Sequence, residues 1–92
     1  MLTQRIIEKS VELFGYAITQ KELRLLVYVL YEAVNNKRVD KTNDEEKEIL
    51  SAWVDKGYLL VTGLGNLLSI SEDFFNKGNQ LVYLGYVDVS PQ

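Results

Sequence analysis

The stretch Leu23–Val34 constrains this chain more than any other, because Arg24 and Glu32 are its only charged residues. It follows Thr19-Gln20-Lys21-Glu22, a capping box in which the threonine side chain serves the backbone three residues on and the glutamate returns the bond. Ile18 stands before the cap, where it can staple onto Leu23. A helix that is apolar nearly all round has to be covered on several sides. Leu23–Val34 is therefore expected to be the central helix, and the remaining segments must supply its cover.

Residues 3 to 14 place Ile7, Val11 and Phe14 at helical spacing, widened by Ile6 and Leu13, with Arg5, Glu8, Lys9 and Glu12 opposite. This pattern predicts an amphipathic helix that ends at Gly15 in a left-handed cap. Asn35 to Thr42 reads as a polar loop, and Thr42-Asn43-Asp44-Glu45 offers a second capping box. In the third helix Asp44, Glu45 and Glu46 suit the positive end of the dipole, and Ile49, Leu50, Trp53 and Val54 form the inward face. Gly57 ends it, with Trp53 and Tyr58 placed for the hydrophobic contact of a Schellman cap.

Tyr58–Thr62 and Leu67–Ser71 flank Gly63-Leu64-Gly65-Asn66, a glycine-rich turn between two β-prone runs, so they are expected to pair as a hairpin. Ser71 followed by Glu72 and Asp73 reads as the cap and acidic first turn of a fourth helix carrying Phe74, Phe75, Leu81 and Val82. Tyr83–Val89 either extends that helix or leaves it near Gly85 to form a third strand, and periodicity admits both. The expected fold class is α+β, mainly α: three helices, a wing-like hairpin and a fourth helix. Ninety-two residues fit one domain, 1–92.

From Glu45 to Phe75 the chain resembles the second half of a winged-helix domain. A helix leads into Lys56-Gly57-Tyr58-Leu59, a turn stands where a wing would be, and Leu68-Ser69-Ile70-Ser71 returns. The resemblance covers residues 45–75, about a third of the chain, and implies a topology more than an activity. One departure is the preceding helix, which is long and almost wholly apolar where a DNA-binding winged helix has a short one.

The chain has no histidine and no cysteine. Ser-His-Asp, Cys-His and zinc-histidine sites are thereby excluded, along with disulfides. Asp44 and Glu48 stand at i, i+4, close enough to share a hard cation, but the helix dipole and solvation explain carboxylates there. Asp40, Asn43, Asp44 and Glu46 match a calcium loop in composition only, without its ligand alternation or its glycine. Gly63-Leu64-Gly65 does not open a helix and so lacks the amide-lined mouth of a phosphate loop. No metal and no cofactor are expected.

Met1–Gly15 lacks the unbroken apolar core of a signal peptide, and the longest apolar run, Leu25–Tyr31, is far short of the ~20 residues of a membrane span. Cytoplasmic localisation and no membrane partner are expected.

A formal charge of −3 argues against a nucleic-acid binder working through its overall field. Lys37, Arg38 and Lys41 form the one basic concentration, available for phosphate contacts. The third helix, in the recognition position of a winged helix, opens with carboxylates that would meet like charge on DNA. The leading reading is a non-catalytic adaptor or inhibitor that binds a protein. It would use the acidic helix start (Asp44, Glu45, Glu48) or a C-terminal aromatic surface (Phe75, Tyr83, Tyr86), and the latter could also join two copies of the chain. In size, acidity and lack of catalytic motifs the chain is similar in style to small accessory proteins of tailed bacteriophages, which implies a host protein as partner. The alternative is a winged-helix transcriptional regulator contacting DNA phosphates through Lys37, Arg38 and Lys41. A carboxylate-based hydrolase or transferase ranks third.

Overall fold

The computed structural model describes residues 3–84. Its elements are α1 (Gln4–Phe14), α2 (Gln20–Val34), α3 (Asp44–Asp55), β1 (Leu59–Val61), β2 (Leu67–Ile70) and α4 (Glu72–Val82). The fold is α+β and mainly α, with β1 and β2 paired antiparallel.

α2 starts where its capping box stands. Thr19 Oγ1 accepts from the Glu22 N–H at 3.1 Å, and Glu22 Oε1 accepts from the Thr19 N–H at 2.9 Å. Leu23, Leu25, Leu26, Val29 and Leu30 of this helix are buried. Around them Ile6, Ile18, Val39, Leu50, Trp53, Leu59, Leu67, Phe74 and Leu81 complete one hydrophobic cluster drawn from every element. α2 is central, as its composition requires. Its covering stops before its end, since Tyr31 is 61% and Val34 67% exposed.

α1 is rotated from the expected stripe. Ile6 and Ser10 are its most buried residues, whereas Val11 is 48% exposed. A serine tolerates the core-facing position because its hydroxyl donates to the Ile7 carbonyl at 2.7 Å and accepts from the Ile18 N–H at 2.9 Å. Gly15 closes the helix at φ 86°, as expected.

α3 is capped one residue later than the pattern Thr42–Glu45 suggests. Asn43 Oδ1 accepts from the Glu46 N–H at 2.8 Å, and Glu46 Oε1 accepts from the Asn43 N–H at 2.9 Å. Asparagine is a better cap than threonine, and the shift frees Glu45 for another partner. At the far end the Tyr58 N–H donates to the Trp53 carbonyl and the Gly57 N–H to the Val54 carbonyl, which is the Schellman pairing. That cap delivers Tyr58 onto Phe74, the rings stacked 4.7 Å apart, with Trp53 at 5.3 Å and Phe14 at 5.9 Å from the same ring.

The 35–42 segment is not simply a polar loop. Arg38 bridges Asn66, the Val39 N–H donates to the Gly65 carbonyl at 2.7 Å, and the Leu67 N–H donates to the Lys37 carbonyl at 2.8 Å. Val39, its one apolar residue, is buried, so hydrophobic burial draws the segment against β2. β2 thus lies between this bridge and β1.

Ser71 caps α4, its Oγ accepting from the Phe74 N–H. Gly78 brings α4 close to α2, since a β-carbon there would lie 3.1 Å from side-chain methyls of Leu26 and Leu30. Tyr83 and Leu84 continue α4 in a wider, π-type turn; the rest of the Tyr83–Val89 segment lies outside the described residues.

Candidate protein-binding surfaces

α3 is held by Leu50 and Trp53, both buried, and this fixes which side chains it turns outward. At ~100° per residue, Asp44, Glu48 and Asp55 fall within about 40° of one another, opposite the buried face. All three are exposed. None has an ion-pair partner among the described residues, and they form a carboxylate ridge from the first turn of the helix to its last. Glu45 lies off this ridge and pairs with Lys21 at the start of α2. The structure therefore keeps Asp44 and Glu48 together but assigns Glu45 to a bridge between helices. Asp55 was missed from the sequence, where its spacing from Asp44 and Glu48 was the available signal.

On the α2 side of the ridge an open depression of about 430 Å³ is lined by Glu45, Glu48, Ala52, Trp53, Tyr16 and Lys56, among others. Tyr16 is its best-defined element. Lys56 Nζ sits 4.4 Å from the ring centroid, and the phenol donates to Glu22 Oε2 at 3.0 Å. Burial, reinforced by the Glu22 carboxylate and opposed by Trp53, pushes the phenol from its ordinary 10.0 up to about 12.

The expected C-terminal aromatic surface is only partly present. Phe74 is buried, Phe75 is half-buried and packs against the core, and Tyr83 is 58% exposed beside a depression between α1 and α4. Phe75 is thus committed largely to packing: a residue next to a buried one on a helix turns only about 100° away. Tyr86 lies outside the described residues.

Lys37, Arg38 and Lys41 are all exposed, and the Arg38–Asn66 bridge carries them to the side of the hairpin. Arg38 is paired with Asp40 at 3.2 Å. Lys37 adopts φ 58°. The Lys41 N–H donates to the Tyr28 hydroxyl at 3.2 Å.

The hairpin carries exposed leucines that the sequence reading did not single out. Leu60 is 48%, Leu64 79% and Leu68 62% exposed. A signal was available, since Gly57–Ser71 holds no charged residue in a chain that is 25% charged.

Among the described residues no helix is long and apolar enough to cross a membrane, and no three or more His, Cys, Asp or Glu side chains are grouped to hold a metal ion. Comparison with protein-family models, curated proteins and solved structures finds no match.

Proposed function

We propose that this protein is a non-catalytic binding module, an adaptor or inhibitor whose partner is another protein with a basic surface. The observation that carries this reading is the ridge of Asp44, Glu48 and Asp55, without an ion-pair partner among the described residues and presented on a helix anchored in the core through Leu50 and Trp53. Carboxylates arranged on a rigid support complement a positive surface and steer its approach. The style shared with bacteriophage accessory proteins makes a bacterial protein the first partner to test.

The competing reading, DNA binding through a winged-helix-like arrangement, draws on the bridge that places Lys37, Arg38 and Lys41 beside the hairpin. It is weaker because Asp40 occupies Arg38 and the helix preceding the hairpin turns carboxylates outward.

The test is affinity capture from a bacterial lysate with the wild type and with Glu48→Lys/Asp55→Lys, circular dichroism serving as the folding control. A specific protein partner retained by the wild type and lost by the folded double mutant supports the reading. Equal retention removes the ridge from consideration. Tight duplex DNA binding that is lost on changing Lys37, Arg38 and Lys41 to Ala replaces it with the DNA reading.

A further inference from the structure

Three parts of the chain meet around a cleft of about 350 Å³: α3, the hairpin turn and the 39–42 segment. Each wall is fixed by contacts of its own. α3 is anchored in the core through Leu50 and Trp53. The turn is closed by the Gly65 N–H, which donates to the Thr62 carbonyl at 3.0 Å, and by the Asn66 N–H, which donates to the Thr62 hydroxyl at 3.1 Å. The Val39 N–H, donating to the Gly65 carbonyl at 2.7 Å, ties the third wall to the second. The cleft is therefore preformed, and its volume falls at the lower end of the about 300–1,000 Å³ of small-molecule sites.

Its lining divides by chemistry. Val39, Leu50, Val54 and Val61 give it an apolar floor, and Leu64, 79% exposed in the turn, stands at its mouth. Around this floor Lys47, Ser51 and Thr42 hold hydrogen-bond donors that meet no side-chain partner among the described residues. Lys47 and Ser51 stand at i, i+4 on α3 and are neighbours on its surface. The other charged side chain of the lining, Asp40, is paired with Arg38 at 3.2 Å. Lys47 is thus the uncompensated charge of the cleft.

We infer that this cleft binds a small amphipathic carboxylate, an apolar chain ending in one carboxylate group. The chain lies on the valine and leucine floor and takes apolar surface, that of Leu64 included, out of water. The head group accepts from the Lys47 ammonium and from the hydroxyls of Ser51 and Thr42. An ionised carboxylate has acceptors only, which matches donors that lack a partner within the protein. A phosphate head group brings a second negative charge beside Asp40 with one lysine to meet it, and an ammonium meets Lys47 at like charge. The cleft uses residues other than those of the acidic ridge, so either site can fail its test without the other.

Octanoate is the probe, with octanol and octylammonium as its neutral and cationic counterparts. A titration followed by amide chemical shifts should show saturable octanoate binding, with the perturbations centred on Lys47, Ser51, Val61 and Gly63. Octanoate should bind on the order of tenfold tighter than either counterpart, the yield of one charge-assisted contact. Lys47→Met keeps the aliphatic stem at an exposed position and should lower octanoate to the affinity of octanol. Lys37→Met, outside the cleft, should leave octanoate binding unchanged. Leu64→Ser, also at an exposed position, should weaken octanoate and octanol by a similar factor. Octanoate that does not saturate, octylammonium that binds equally well, or a Lys47→Met variant that binds octanoate like the wild type would overturn the inference.

Discussion

The Ser10 hydroxyl accepts a hydrogen bond from the Ile18 N–H at 2.9 Å and so ties the middle of α1 to the residue preceding the cap of α2. Ser10 is fully buried, and the same oxygen donates to the Ile7 carbonyl. Ser10→Ala leaves the Ile18 N–H without that partner inside the protein. The expected loss is about 1–3 kcal/mol, read from the midpoint of urea denaturation at unchanged slope. A loss well below this would mean that water or a shifted backbone serves Ile18 instead.

Gly65 and Gly63 lie in one turn and should respond differently to alanine. Gly65 has φ 88°, and a β-carbon there would lie 2.7 Å from that of Asp40, against backbone that Val39 holds in place. Gly63 has nothing within 4 Å of its β-carbon position. Gly65→Ala should cost on the order of 2 kcal/mol, combining left-handed strain with the clash. Gly63→Ala should fall within about 0.5 kcal/mol of wild type. Thermal unfolding of the two variants makes the comparison.

The register of the α3 cap is testable in the same way. Asn43→Ala should cost about 1 kcal/mol, and Thr19→Ala a similar amount at α2. Thr42→Ala should cost clearly less, since Asn43 and Glu46 make both bonds of the box. If Thr42→Ala is the more damaging, the helix starts one residue earlier in solution.

Tyr16 should ionise well above the ordinary phenol range. Its pKa is pushed up to about 12, so the folded state holds the phenolic proton more tightly than the unfolded chain. The associated stability is therefore complete below pH 10, the ordinary value, and is lost as pH rises through about 12. In a phenolate absorbance titration Tyr16→Phe should remove the step near pH 12. Persistence of that step in the variant assigns it to another tyrosine.

The helix boundaries were legible because their causes are local. Thr19 with Glu22, Gly15, Gly57 and Ser71 each satisfy, or release from strain, backbone within a few residues of themselves, and the structure uses all of them. The hairpin was legible for the same reason, its glycine-rich turn lying between two β-prone runs. Even the acidic start of α3 followed from the helix dipole. What the sequence alone determined was thus where most elements begin and end, to within the one residue by which the α3 cap moved and short of the end of α4, and that the apolar length of α2 needed cover.

Tertiary structure decided which face each element shows. Ser10 replaced Val11 at the core side of α1 because a polar contact from outside the helix, the Ile18 N–H, took its hydroxyl. Val39 drew a polar loop onto β2, a pairing between residues far apart in sequence. The burial of Leu50 and Trp53 set the rotation of α3, which aligned Asp55 with Asp44 and Glu48 and turned Glu45 toward Lys21. Leu60, Leu64 and Leu68 were left in the open because the hairpin has one covered face and no further strand along β1 among the described residues. Periodicity states that a helix or strand has an apolar side, whereas the direction of that side depends on partners supplied by distant parts of the chain.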